Sequence, residues 1–198
     1  SPPAVTLGFG VDTTQADVAG IVRTVSAYFK IRGAGHARTP YWSAGEQKQR
    51  HDYDLTADFV FQGFSATIAT VMPARPGSGE YIVRTLFAHA DSNGGNIRPV
   101  ALQRLYASRN AAGTWELSSA LPRLTADWVT RDVKFITYHM PAGWRFDEEK
   151  AQRAARFLDS AAHAMQVPRP PHIDYYLAAS TEDMYRIIGL DYFIQVSG

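Results

Sequence analysis

The densest group of ionisable residues in the chain is His51-Asp52-Tyr53-Asp54. An imidazole followed by two carboxylates has the composition of an acid–base or ligand-orienting group at the mouth of a pocket. The same residues are typical of a strand entry, where the carboxylates accept hydrogen bonds from neighbouring backbone amides. We favour the second, structural interpretation.

The histidines do not form a recognisable zinc motif. A zinc site needs two or three histidines or carboxylates brought together, often three or four residues apart on a helix. No H-E-x-x-H occurs, and no two of the six histidines are close in sequence, namely His36, His51, His89, His139, His163 and His172. The sequence therefore predicts no metal ligands, with a site built from distant positions as the open alternative.

Nucleophile motifs are equally incomplete. The chain has no cysteine, so thiol nucleophiles, disulfides and thiolate metal sites are excluded. Gly77-Ser78-Gly79 lies in a predicted turn and lacks the pattern that flanks a G-x-S-x-G serine. Asn93-Gly94-Gly95 is typical of a turn and does not predict a phosphate-binding loop, because no helix follows it. We predict no catalytic residues in these 198 residues.

Composition narrows the class of protein. The chain is 45% hydrophobic and 12% aromatic, which indicates a globular protein of one large domain or two small ones. The formal charge is +1 and there is no run of Lys and Arg, the densest basic patch being Lys48–Arg50, which argues against a nucleic-acid surface. No apolar run approaches the ~20 residues of a membrane span.

The first residues indicate export. Ser1-Pro2-Pro3-Ala4 looks like the mature end left after removal of a signal peptide, and the absence of cysteine fits an exported protein. We therefore expect a bacterial protein that is secreted or periplasmic.

The elements needed to position any site are clearest between Asp132 and Gly189. Val133–Met140 reads as a strand, Asp147 caps a helix with an alanine-rich inward face, and Ile173–Leu177 reads as a second strand. A helical crossover of this length predicts that the two strands are parallel. Ser180–Gly189 reads as a short final helix.

The first part of the chain reads as a helix followed by a meander. Thr14 is the predicted N-cap of an amphipathic helix over Gln15–Arg32, and Trp42 is a predicted core plug beside it. Turns every ten to fifteen residues predict an antiparallel sheet, which the helix covers on one face. The predicted strands are Leu55–Phe61, Ala66–Met72, Tyr81–Ala90, Val100–Ala107 and Trp115–Leu121.

These elements predict an α+β fold: an N-terminal helix packed on a curved antiparallel meander, followed by a small β-α-β-α unit. The domains are predicted as residues 1–131 and 132–198. A curved sheet and a helix enclose a cone, and pockets of this kind are mostly apolar. Trp42, Tyr53, His89 and Tyr106 are the candidate ligand-binding residues in it. Two mid-strand arginines, Arg84 and Arg104, either face solvent or pair with Glu116.

The chain resembles two known arrangements. Residues 15–121 are similar to the nuclear-transport-factor-two-like (cystatin-like) roll, a likeness of fold without a motif. The last third resembles the leading segment of bacterial zinc metallopeptidases of the gluzincin (peptidase MA-like) group. The matching residues are Phe135–Pro141, the helix Glu148–Met165, Ile173–Ser180 and Thr181–Gly189. In that group the zinc-binding H-E-x-x-H helix follows the matched part, so its ligands and general base have no counterpart here.

The resemblance implies the non-catalytic N-terminal portion of an exported metallopeptidase-like protein. It implies no cofactor in this chain, and zinc only if a downstream catalytic segment exists. One alternative is a self-contained small-ligand-binding module of the roll type. The other is a secreted structural or assembly subunit, suggested by the strand-like run Asp191–Val196. The expected partners are the C-terminal part of the same protein or a second copy, with no nucleic acid.

Overall fold

A computed structural model of the protein describes residues 5–31, 39–50, 64–90 and 97–194. The predicted strand Leu55–Phe61 and the cluster His51–Asp54 lie outside the described residues. The chain divides into two compact units. Unit 1 consists of residues 1–120 and 188–198, and unit 2 consists of residues 121–187.

Helices and strands of both units give the predicted α+β fold. Unit 1 contains helices α1 (Ala16–Lys30) and α2 (Ala44–Arg50) and strands β1 (Val5–Leu7), β2 (Ser65–Pro73), β3 (Tyr81–Ala90), β4 (Ile97–Arg109), β5 (Trp115–Ser118) and β9 (Leu190–Phe193). Unit 2 contains helices α3 (Leu121–Leu124), α4 (Glu148–Ala164) and α5 (Thr181–Ile187) and strands β6 (Val129–Val133), β7 (Ile136–Met140) and β8 (Ile173–Tyr176).

The sheet of unit 1 is a meander with two additions. Strands β2 to β5 are antiparallel neighbours in chain order, as predicted. Strand β1 pairs with β2 in parallel, and β9 pairs with β4 antiparallel. The predicted strand at the end of the chain is therefore paired along one edge.

Helix α1 covers one face of this sheet, as its apolar periodicity predicts. Phe29 packs edge-on against Phe87 of β3, with the ring centroids 5.7 Å apart. The buried stripe on the helix consists of Val18, Ile21, Val25, Tyr28 and Phe29. Burying such a stripe against a sheet supplies most of the stability of a helix of this length.

The predicted cap of α1 is wrong. The cap position is Gln15, whose side chain makes no capping hydrogen bond. The backbone amide and the hydroxyl of Thr14 both donate to Asp12 Oδ1, at 3.0 and 2.6 Å. Because the Thr14 hydroxyl is engaged in this turn, it does not turn back onto the helix.

Trp42 is the core plug that its position predicts. It follows a short 3-10 helix, Thr39–Tyr41, and is 1% exposed. Its ring packs edge-on against Tyr28 of α1, with centroids 5.5 Å apart. Its backbone forms an isolated bridge with Leu117 of β5. Trp42 therefore joins the helix to the last strand of the meander.

A buried carboxylate attaches α2 to the end of β5. Glu46 is 5% exposed and accepts hydrogen bonds from the Ser119 amide, at 2.8 and 3.0 Å, and from the Ser119 hydroxyl, at 3.0 Å. An amide hydrogen-bonded to a charged acceptor in the interior is costly to leave without a partner.

We expect Glu46→Ala to lower the free energy of unfolding by about 2–3 kcal/mol, because the buried amide and hydroxyl of Ser119 lose their acceptor. Urea denaturation of the full chain measures this change. Glu46→Gln keeps one acceptor oxygen and should cost less. A loss below about 0.5 kcal/mol for the alanine variant would contradict this assignment.

Unit 2 is built on a three-stranded sheet of order β6-β7-β8. Strands β7 and β8 are parallel across α4, as the crossover predicts. The predicted strand Val133–Met140 differs from the structure: Val133 pairs with Ile136 in an antiparallel hairpin of β6 and β7. Lys134 has φ 56°, a left-handed conformation that reverses the chain there.

Helix α4 packs its alanine face on this sheet. Asp147 Oδ1 accepts from the Lys150 amide at 3.0 Å, so the predicted N-cap is confirmed. Ala151 and Ala155 are buried, and their small side chains let the helix lie close to the strands. The core beneath them is formed by Val133, Phe135, Ile136, Tyr138 and Met140.

The two mid-strand arginines of unit 1 pair with β9. Arg84 Nε lies 2.8 Å from Asp191 Oδ2, and Arg104 Nη2 lies 3.3 Å from Asp191 Oδ1. The predicted alternative partner, Glu116, accepts a hydrogen bond from Asn110 at 2.7 Å. The prediction missed Asp191 because the sequence does not reveal that β9 returns beside β4.

Candidate functional site

Three of the four predicted ligand-binding residues lie in the described part of the chain, and these three do not form one group. Trp42 and Tyr106 are buried, and His89 is exposed beside Phe64, with ring centroids 6.4 Å apart. Tyr106 lies opposite Ile82, near one end of β3, and His89 lies near the other end. Seven residues of strand span about 23 Å, so these two side chains are far apart. Tyr53 lies outside the described residues.

Large side chains fill the space between α1 and the sheet where the structure describes it. The fully buried side chains there include Tyr28, Phe29, Trp42, Phe87 and Ile21. Trp42 therefore packs against other side chains in this region.

A different set of polar residues gathers on unit 2. Paired residues of parallel strands point to the same face, and Thr137 pairs with Asp174 while His139 pairs with Tyr176. Asp132 of β6 pairs with Thr137, whose hydroxyl donates to its carboxylate. We use the name polar face for these five residues: Asp132, Thr137, His139, Asp174 and Tyr176. The opposite face of the same strands carries the residues that α4 covers.

An imidazole and a carboxylate are in direct contact at the centre of the polar face. His139 Nε2 lies 2.7 Å from Asp174 Oδ1. The His139 ring stacks on Tyr176, with centroids 4.3 Å apart and planes 8° apart. Trp128 packs against the same tyrosine at 6.3 Å. The stacking holds the imidazole in the orientation that faces the carboxylate.

A second imidazole approaches the other oxygen of the same carboxylate. His172, just before β8, places Nε2 3.4 Å from Asp174 Oδ2. Burial of the Asp174 carboxyl acts to raise its pKa, but hydrogen bonds from His139 and His172 outweigh this effect and hold the pKa below its ordinary value. Asp174 is therefore a carboxylate at neutral and mildly acidic pH.

The arrangement supports hydrogen bonding between the two imidazoles and the Asp174 carboxylate. Both histidines direct Nε2 to the same carboxylate, and no group of three or more metal-ligating side chains is found among the described residues. A hydrogen bond that an ionised carboxylate accepts is stronger than one between neutral groups.

The sequence carried a signal for this group that our prediction did not use. Once Val133–Met140 and Ile173–Leu177 are predicted as parallel strands, their alternation places Thr137 and His139 on one face, and Asp174 and Tyr176 on one face. What the sequence does not provide is the register, which brings residues 35 positions apart into contact. His172 precedes the strand, so the alternation of the strand residues does not predict where its side chain lies.

Comparison of the chain with protein-family models, curated proteins and solved structures finds no match. No helix among the described residues is long and apolar enough to cross a membrane.

Proposed function

We propose that the chain is the non-catalytic N-terminal portion of an exported bacterial metallopeptidase-like protein. The observation that carries this proposal is the arrangement of the residues on which the gluzincin resemblance rests. The matching residues from Phe135 to Ile187 all lie within unit 2. Within it, β7, α4 and β8 follow one another as strand, helix and parallel strand.

The local chemistry of unit 2 supports a scaffold role in such a protein. Helix α4 is capped by Asp147 and lies on the sheet through two buried alanines. On the polar face the Asp174 carboxylate contacts the His139 imidazole, and the His172 imidazole approaches it from just before β8. No thiol is nearby, since the chain has no cysteine. A catalytic zinc site would require ligands that a downstream segment supplies.

The two alternatives have less support. Ligand binding inside the roll would use Trp42, which packs against Tyr28 in the interior. An assembly role was suggested by a terminal strand with unpaired backbone groups. One edge of that strand is paired with β4, and Ile194 N donates to Val100 O at 2.8 Å.

Intact mass and metal content of the native protein test the proposal. We expect a native mass well above 21.9 kDa and about one zinc per molecule, because the family's zinc ligands lie beyond the matched segment. The purified 198-residue chain should hold no stoichiometric zinc and should not cleave a mixed peptide library.

Two results would overturn the proposal. One is a native mass of 21.9 kDa without metal, which would leave a binding or assembly role. The other is stoichiometric zinc in the 198-residue chain with peptidase activity that a chelator abolishes. The matched control is the double variant His139→Gln, His172→Gln, which removes two imidazoles of unit 2 as a source of adventitious metal binding.

A further inference from the structure

We propose that Asp17, Tyr81 and Arg109 form a clasp that holds the first turns of α1 over the Trp115 ring and opens in acid. This inference goes beyond the proposed function and does not depend on it. It starts from the geometry of one carboxylate on α1. The Tyr81 hydroxyl donates to Asp17 Oδ2 at 3.0 Å, and Arg109 Nη2 donates to Asp17 Oδ1 at 2.9 Å.

The two donors belong to different strands, so the carboxylate joins the helix to the sheet of unit 1. Tyr81 is the first residue of β3, and Arg109 is the last residue of β4. Arg109 also donates through Nη1 to the carbonyl oxygen of Gly113 at 2.7 Å, in the turn that leads to β5. This second bond holds the guanidinium from the side of the strands, so that Nη2 is directed to the helix.

The ring of Trp115, the first residue of β5, lies at the centre of this cluster. It packs edge-on against Tyr81, with ring centroids 5.6 Å apart, and the Arg109 guanidinium lies 4.5 Å from the centroid of the indole. A Cβ added at Gly20 of α1 would lie 2.5 Å from Trp115 Nε1. The helix therefore lies against the indole because position 20 has no side chain.

This packing leaves one polar atom of the cluster without a partner. Trp115 is 7% exposed, and its Nε1 has no hydrogen-bond acceptor in the part of the chain that the structure describes. A buried donor without an acceptor is costly, because it has given up its hydrogen bonds with water. Opening the first turns of α1 would return the indole N–H to water, so the bonds to Asp17 must offset this cost in the closed position.

Few ionisable groups act on the clasp. Those that reach the Asp17 carboxylate in the described structure are Tyr81 from β3 and Arg109 from β4. Strand β2, which also contacts α1, carries no titratable side chain. On β5, Glu116 accepts a hydrogen bond from Asn110. At neutral pH the carboxylate anion thus accepts from one cation and one neutral phenol.

The charge of Asp17 sets the acid limit of the clasp. The hydrogen bond from Arg109, followed by the one from Tyr81, holds the pKa of the Asp17 carboxyl below its ordinary value. A carboxyl with a lowered pKa contributes stability above its ordinary pKa, about 4, and loses it as the pH falls through the lowered value. Burial and the bond to Asp17 raise the pKa of Tyr81, so the phenol remains a donor throughout the neutral range. The clasp is therefore closed at neutral pH and opens below about pH 4.

Hydrogen exchange of the full chain, measured by mass spectrometry at pH 6.0 and 3.0 with times corrected for intrinsic exchange, tests the clasp. The protection of residues 19–24 is read relative to that of β3 in the same sample, which separates opening of the helix from loosening of the whole unit. In the wild type we expect this relative protection to fall about fivefold at pH 3.0, the upper size of an exposed ion pair.

Two variants of the clasp and one matched control identify the source of this fall. Asp17→Asn should show the low protection already at pH 6.0 and no further fall at pH 3.0, because its side chain has no charge to lose. Arg109→Gln should remove most of the fall, since the Arg109 bond is the larger influence on Asp17. Asp147→Asn should keep the full fall, because Asp147 also has a lowered carboxyl pKa but caps α4 in unit 2.

Equal relative protection at both pH values in the wild type would overturn the clasp. A full fall in Asp17→Asn would overturn it too, as would a full fall in Arg109→Gln should the asparagine variant not fold. Loss of the fall in Asp147→Asn would count against it as well, because the response would then not arise at Asp17.

Discussion

Gly189→Ala should lower the free energy of unfolding of unit 1 by about 2–5 kcal/mol. Gly189 has φ +83°, and a left-handed conformation costs an L-residue roughly 1–2 kcal/mol. An added Cβ would lie 2.7 Å from the carbonyl oxygen of Arg104, which is backbone and cannot turn aside. Overpacking of this kind costs about 1–3 kcal/mol more. The same glycine accepts a hydrogen bond from the Arg104 amide at 2.7 Å.

Gly113→Ala separates the two contributions. Gly113 has φ +79°, but nothing lies within 4 Å of an added Cβ. This variant should lose only about 1–2 kcal/mol in urea titrations of the full chain, because it carries the backbone strain alone. Equal losses for the two variants would mean that β4 yields to the new methyl group, and that the close approach of Gly189 does not hold β9 in place.

Trp42→Ala should cost about 3–5 kcal/mol of unfolding free energy, the usual loss for a fully buried tryptophan. The substitution removes the edge-on contact with Tyr28 and leaves a cavity between α1 and β5. Urea titration followed by circular dichroism measures it, with separate transitions fitted if the two units unfold independently.

Trp42→Phe is the companion variant, since it keeps an aromatic edge for Tyr28 and should lose less. The outcome also bears on the predicted pocket. A tryptophan that lines an open pocket contributes little to stability, so a loss under about 1 kcal/mol for Trp42→Ala would favour ligand binding in the roll over core packing.

Residues with one dominant local role were predicted well from the sequence. Strand β3 was predicted with its bounds, Tyr81–Ala90, because turn residues close it on both sides. Helix α4 was predicted from Asp147 and its alanine spacing, and these features act within a few residues of one another. The position of Trp42 followed from the helix beside it.

The errors arose where two local interpretations compete. Thr14 is a good cap in isolation, but Asp12 two residues earlier engages its hydroxyl. Val133–Met140 is rich in β-branched and aromatic residues, so its pattern hides the turn at Lys134. Distances along the chain explain the remaining misses, because the partners of Arg84 and His139 lie far away in sequence, at Asp191 and Asp174.

The return of β9 to the sheet of unit 1 affects the order in which the protein can fold during synthesis. Residues 121–187 are contiguous, so unit 2 is complete once Ile187 has left the ribosome. Unit 1 must wait longer, since Ala101 of β4 pairs with Phe193. The N-terminal part of the chain therefore acquires its last strand after the part that follows it has been made, and until then β4 presents an unpaired stretch of edge to other nascent chains.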